Sequence, residues 1–154
     1  MVMIIYGNLL NTSAKYICHQ VNCKGVMGSG AAKQIKFKWP QVFQQYKELC
    51  DKHAGCTEEL LGTVQGVRVD VNTTVVNIFG QDTYGKTGKH TDMNALRTAF
   101  EALAANSAPG DVFAMPYRIG CGLGGGDWGE VMDLLTECFQ DRNLVLYKLP
   151  NDRM

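Results

Sequence analysis

Apolar side chains recur along this chain in two ways, as short near-continuous runs and as stretches spaced three and four residues apart. The runs Val2–Tyr6 and Tyr16–Val21 are rich in β-branched and aromatic residues, and the first stops at the turn pair Gly7-Asn8, so both predict strands. Residues 31–39 place apolar side chains at 31, 32, 35 and 39, close to helical spacing, until Pro40 interrupts them. A second helix follows over Pro40–Lys52, with Val42, Phe43, Tyr46, Leu49 and Cys50 as its inner face. Three β segments come next, at 62–64, 67–71 and 74–79, and the last reads as a buried central strand.

After a polar, glycine-bearing loop at 80–90, residues 92–105 carry Met93, Leu96, Ala99, Phe100 and Leu103 on one helical face, with Thr91 or Asp92 as N-cap. A turn at 108–111, a strand at 112–115, a helix at 128–139 and a strand at 144–149 complete the pattern. Strands and helices alternate through much of the chain, which predicts an α/β fold, and the tail Asn151–Met154 is expected to fray.

Length and composition fit one domain spanning residues 1–154: 45% of residues are apolar, enough for a core without a disulfide scaffold. Fifteen basic and 15 acidic residues give zero formal net charge, so there is no strong nucleic-acid signature and no polybasic membrane patch. An anionic ligand would have to be held by local geometry. The first residues lack a basic n-region, which argues against a signal peptide and points to the cytoplasm. Six scattered cysteines form no pair of C-x-x-C knuckles and read as reduced thiols. A zinc site on Cys18, His19 and Cys23 is disfavoured because neighbours on a strand point to opposite faces, so no metal and no cofactor is expected.

Two glycine-rich loops stand between a strand and the helix after it. The first, residues 22–30, opens a helix whose free N–H groups and dipole present an anion site. The second, residues 120–126, has five glycines in seven residues and can form a nest of N–H donors. A single loop of this kind is better explained by tight turns and close packing, whereas two in equivalent positions point to a diphosphate pocket. The G-x-x-x-x-G-K-[ST] phosphate loop is absent, and the first loop reads G-x-x-G-x-G, not G-x-G-x-x-G, with no acidic residue ending a second strand at the dinucleotide spacing.

The run His19-Gln-Val-Asn-Cys-Lys-Gly-Val-Met-Gly-Ser-Gly-Ala-Ala, then Trp39-Pro40, then Met115-Pro-Tyr-Arg-Ile-Gly-Cys-Gly-Leu-Gly-Gly-Gly-Asp-Trp, resembles the macrodomain family. The resemblance is strongest to its branch of ADP-ribose-1″-phosphate phosphatases and terminal ADP-ribose glycohydrolases. It implies a three-layer fold, with a mixed, mostly parallel sheet of six or seven strands between helices. It also implies ADP-ribose, or an ADP-ribosylated substrate, as partner. By position, Asn22, Gly25, Val26, Met27, Gly28, Ser29 and Gly30 would border the distal ribose and its phosphate, and Gly120, Cys121, Gly122, Leu123, Gly124 and Gly125 would wrap the diphosphate. Asn8, with Leu9 beside it, falls where many macrodomains place an aspartate that accepts from the adenine amino group, and also reads as a plain turn residue. Phe79, Tyr117 and Ile119 complete the expected binding set; Phe79, Tyr84 and Tyr117 are the stacking candidates, and core packing explains Phe79 equally well.

The glycohydrolases of this branch use a lysine near the end of the strand matching 74–79 and an aspartate directly after G-C-G-L; here those positions hold Gln81 or its neighbours and Gly124, with Lys86 and Lys89 nearby in the 80–90 loop. The remaining candidates are His19, which aligns with a histidine of the phosphatase-like branch, and Asp82 and Asp127, with His90 nearby. His19 would act as acid or base and either aspartate would orient a water. Their plain alternatives are a hydrogen-bonded core histidine, a turn former and a helix N-cap. The expected function is hydrolysis of a substituent from the distal ribose of ADP-ribose: phosphate, acetyl, or a macromolecular acceptor. The competing expectation is a non-catalytic ADP-ribose reader.

Overall fold

Six strands form: β1 (Val2–Tyr6), β2 (Tyr16–Val21), β3 (Val64–Asp70), β4 (Thr73–Phe79), β5 (Val112–Pro116) and β6 (Asn143–Lys148). In the computed structural model, which describes residues 1–150, they make one sheet in the order β1-β6-β5-β2-β4-β3. Every neighbouring pair is parallel except β3–β4, which is antiparallel at one edge, so the sheet is mixed and mostly parallel. The tail from Asn151 lies outside the described residues.

The segments read as separate strands at 62–64 and 67–71 are a single strand. Gly62 lies outside it, in the left-handed region at φ +88, while β3 runs straight through Gly66, whose backbone packs under the Thr74 side chain. A glycine that lets a neighbour approach closely had the appearance of a strand break.

Four helices are placed by recognisable signals. Pro40 ends α1 (Gly30–Lys38) and, at the first position of α2 (Pro40–Lys52), costs no hydrogen bond. Asp92 caps α3 (Met93–Ala105) through the Ala95 amide, and Asp127 caps α4 (Trp128–Cys138) through the Glu130 amide. One face of the sheet buries Ile17, Val21, Val75 and Phe79 against Ile35, Val42 and Tyr46 of α1 and α2. The other buries Cys18, Ile78, Met115 and Leu146 against Leu96, Phe100, Val131 and Leu135 of α3 and α4, with Phe139 edge-on to Phe100 and Phe113. Cys18 thus enters the core opposite the His19 side chain, and no metal-holding cluster exists among the described residues.

This arrangement fixes where a ligand can sit. The helices after β2 pack on one face of the sheet, and the helix after the adjacent β5 packs on the other, so β2 and β5 form a topological switch point. Pairing between them covers only Tyr16 with Phe113 and Ile17 with Ala114, and beyond that register a crevice opens at their carboxyl ends. Both glycine loops leave from those ends.

Candidate functional site

A cleft of about 840 Å³ occupies the crevice. That volume lies in the usual range for small-molecule sites. Its walls come from both glycine loops and from the 84–86 segment, and its lining includes Lys86 and Arg118 but no carboxylate. Zero net charge over the chain therefore coexists with a locally cationic cleft.

The anion-binding element of the first loop is backbone. The first intrahelical bond of α1 runs from the Lys33 amide to the Ser29 carbonyl, 3.2 Å, which leaves the Gly30, Ala31 and Ala32 amides without intrahelical acceptors. Ser29 occupies the N-cap position, yet its side chain makes no capping bond. No acidic side chain neutralises the first turn. In the second loop, the Gly125 and Gly126 amides bond back to the Gly122 and Gly120 carbonyls, whereas among the described residues the Gly122, Leu123 and Gly124 amides have no backbone acceptor. All six of these residues line the cleft. Two sets of three N–H donors across one crevice suit a ligand carrying two linked phosphates.

Asn22 shapes the first loop. Its Oδ1 accepts from the Lys24 amide (2.9 Å), the Val26 amide (3.4 Å) and the Tyr46 hydroxyl (2.8 Å), and its Nδ2 donates to the Val26 carbonyl. Tyr46 is fully buried and also donates to the Asn22 carbonyl at 2.6 Å; burial pushes its phenol far up, so it remains a donor at every ordinary pH.

The second loop is held from beneath by Gln20. Its Nε2 donates to Gln81 Oε1 (2.7 Å) and to Thr91 Oγ1 (2.8 Å), and the Thr91 hydroxyl in turn donates to the Gly120 carbonyl (2.7 Å). A Cβ at Gly124 would lie 2.5 Å from Thr91 Oγ1, so that glycine serves packing, whereas one at Gly122 would meet nothing within 4 Å. Arg118 at the mouth has φ 67, the left-handed conformation that every other positive-φ residue described meets with glycine.

The sequence-derived residues divide clearly. His19, Asn22, Val26, Gly28, Ser29, Gly30, Tyr117, Ile119, Gly120, Cys121, Gly122, Leu123 and Gly124 line the cleft. Gly25 packs against Lys47, Met27 is buried in the core beneath the loop, and Gly125 packs on the 88–89 backbone; none of the three lines it. Asn8 caps the short turn Leu9–Asn11 by accepting from the Leu10 amide, and Leu9 is buried in the core, so neither reaches the cleft. Phe79 is fully buried, with its ring 5.8 Å from Tyr46, which corrects its reading as a stacking residue. Tyr117 is nearly buried against Trp128, and the exposed aromatic of the rim is Tyr84.

Among the titratable candidates, His19 is buried, lines the cleft and bonds through Nε2 to Asn77 Oδ1 at 2.6 Å; burial lowers its pKa to about 4. Asp82 accepts from Thr57 (3.0 Å) and pairs with Lys24 (3.4 Å) beside the first loop, outside the lining. Asp127 is occupied as the cap of α4, also outside it. The His90 ring bonds to Thr83 and to the Thr87 carbonyl within its own loop. Cys121 donates to the Ile119 carbonyl, and burial lifts its thiol to about 11, which removes it as a nucleophile. Gln20, Gln81, Lys86 and Arg118 also line the cleft, where no sequence motif marks them as binding residues; a lone polar position on an apolar strand, as at Gln20, is the one signal for them.

Comparison with known proteins places this geometry in a family. The chain is 30% identical to a DNA ADP-ribosyl glycohydrolase of Mycobacterium bovis over 94% of its length but only 42% of that protein's, so it spans about two-fifths of that relative. It is 23% identical to the ADP-ribose 1″-phosphate phosphatase of Saccharomyces cerevisiae, covering 96% of this chain and 98% of that one. Among solved structures, the macrodomain of Mycobacterium tuberculosis DarG matches with a TM-score of 0.78 and 26% identity over 96% of this chain and 97% of that one. A protein of unknown function from Bacteroides thetaiotaomicron matches at 0.83 and 27%, covering 97% and 98%. With the Macro domain family model matching residues 11–135, the chain belongs to the Macro domain family.

Proposed function

We propose that the cleft binds ADP-ribose and that the protein hydrolyses a substituent from its distal ribose. The observation that carries the binding reading is the opposed pair of N–H sets, at residues 30–32 and 122–124, in a cleft with cationic side chains and no carboxylate. The diphosphate sits between them, and Tyr84 at the rim offers a face for a base or sugar. The relatives named for ADP-ribosyl glycohydrolase and ADP-ribose 1″-phosphate phosphatase activity support the hydrolytic reading.

His19 carries the chemistry in this proposal. Its imidazole is neutral at ordinary pH, so it accepts a proton and does not supply one. A water attacks the anomeric carbon, the phosphorus or the acyl carbon, its proton passes to His19, the bond to the substituent breaks, the leaving group takes up a proton from solvent, and His19 returns its own proton to solvent. One water is consumed, and ADP-ribose and the freed substituent are released. Asp82 and Asp127, both engaged outside the cleft, favour a second reading in which the domain binds ADP-ribose without turnover. The six unpaired thiols agree with a cytoplasmic setting; no helix among the described residues is long and apolar enough to cross a membrane.

Incubation with ADP-ribose 1″-phosphate, O-acetyl-ADP-ribose, ADP-ribosylated DNA and ADP-ribosylated protein decides between these readings. Release of free ADP-ribose from at least one substrate, lost in His19→Ala, is the expected result. Tight binding with no turnover establishes the reader, and absence of ADP-ribose binding overturns both.

A further inference from the structure

The polar groups behind His19 form a chain whose direction can be read from its far end. The Gln45 main-chain carbonyl can only accept, so the Gln65 amide must turn its Nε2 toward it, at 3.1 Å. Gln65 Oε1 is then fixed as the acceptor for Asn77 Nδ2, also at 3.1 Å. Asn77 Oδ1 consequently faces His19 Nε2 at 2.6 Å, and that nitrogen must carry the proton. Reversing Gln65 would set its oxygen against the Gln45 carbonyl, and reversing Asn77 alone would set its oxygen against Gln65 Oε1. The register places these residues side by side, His19 opposite Asn77 and Asn77 opposite Gln65 on adjacent strands, so the chain crosses β2, β4 and β3 and ends on α2.

His19 Nδ1 is what remains. It is buried and has no hydrogen-bond partner among the described residues, in a side chain 1% exposed that belongs to a cleft-lining residue. We propose that Asn77 is a positioning residue that locks His19 in its Nε2–H tautomer, so that Nδ1 is a committed acceptor for a ligand hydroxyl or a bound water. An aspartate at this place would stabilise the imidazolium; a neutral amide sets the tautomer and gives the ring no counter-charge. Burial lowers the His19 titration midpoint and the Asn77 hydrogen bond raises it, and no charged side chain among the described residues contributes. The ligand half of this inference rests on the ADP-ribose reading; the tautomer half does not.

Nitrogen-resolved NMR of the imidazole in the ligand-free protein tests the relay alone. Between pH 6 and 8 the expected pattern is a protonated Nε2 and a bare Nδ1, and a bare Nε2 or averaged tautomers would overturn the proposal. Asn77→Asp should raise the His19 titration midpoint by at least about one pH unit through the added counter-charge, whereas an unchanged midpoint contradicts the assigned contact. Because Asn77 is buried, Gln65→Leu provides a second variant at a half-buried site: released amide orientation should mix the tautomers, and an unmixed pattern counts against the relay. Adding ADP-ribose should then shift the Nδ1 resonance. Binding without that shift refutes the acceptor role, and no binding refutes the functional reading while the tautomer result stands.

Discussion

Removing one oxygen from Tyr46 isolates the link between the helical layer and the first glycine loop. Tyr46→Phe keeps the ring against Phe43 and Phe79 but deletes the hydroxyl that donates to the Asn22 carbonyl at 2.6 Å and to Asn22 Oδ1 at 2.8 Å. Oδ1 keeps the Lys24 amide, so the main loss is one buried carbonyl without its donor. A buried acceptor left unsatisfied costs about 1–3 kcal/mol. For a domain of this size that lowers Tm by about 3–9 °C. The loop should also lose its fixed shape, and ADP-ribose affinity should fall by about tenfold, equivalent to about 1.4 kcal/mol. Thermal melts and calorimetric titration of the two proteins read both effects. Unchanged Tm and affinity would refute the claim that this hydroxyl organises the loop, and lower Tm with full affinity would show that loop order does not govern binding.

Other substitutions separate packing from ligand contact. Gly124→Ala places a methyl 2.5 Å from Thr91 Oγ1 and should lower Tm, whereas Gly122→Ala meets no neighbour and should leave Tm unchanged while weakening ADP-ribose binding. Gln20→Ala removes both donors beneath the second loop and should speed amide exchange at 120–126 and 81–91 together; faster exchange in only one segment contradicts the clasp. His19 also predicts acid sensitivity. Its folded pKa of about 4 lies below the ordinary 6.5, so the unfolded chain binds the extra proton between those values. Stability from this group is complete above pH 6.5 and lost as pH falls toward 4, by about 3 kcal/mol in all. Urea midpoints of the wild type and His19→Leu should converge over that window, and parallel curves would contradict it.

The layers and the crevice were legible in the sequence because they depend on local signals. Continuous apolar runs, helical spacing, the caps Asp92 and Asp127, and Pro40 place the elements within a residue or two. Gly66 misled because a glycine under a cross-strand side chain looks like a break. In the site, the loops were readable but the partition among their glycines was not, since whether Gly124 or Gly122 faces open space depends on Thr91 and Gln20, distant in sequence. Asp82 and Asp127 drew notice as acids near loops, yet their partners Thr57, Lys24 and the Glu130 amide hold them elsewhere. The Asn77 contact to His19 spans 58 residues and follows only from strand register.

Calorimetric titration of the wild-type protein with free ADP-ribose, beside Gly122→Ala, tests the central claim most directly. One-to-one binding with a dissociation constant below about 100 µM, clearly weakened in the variant at unchanged Tm, is the predicted result. No heat of binding at millimolar ADP-ribose, or equal affinity in the two proteins, would contradict the assignment of this cleft.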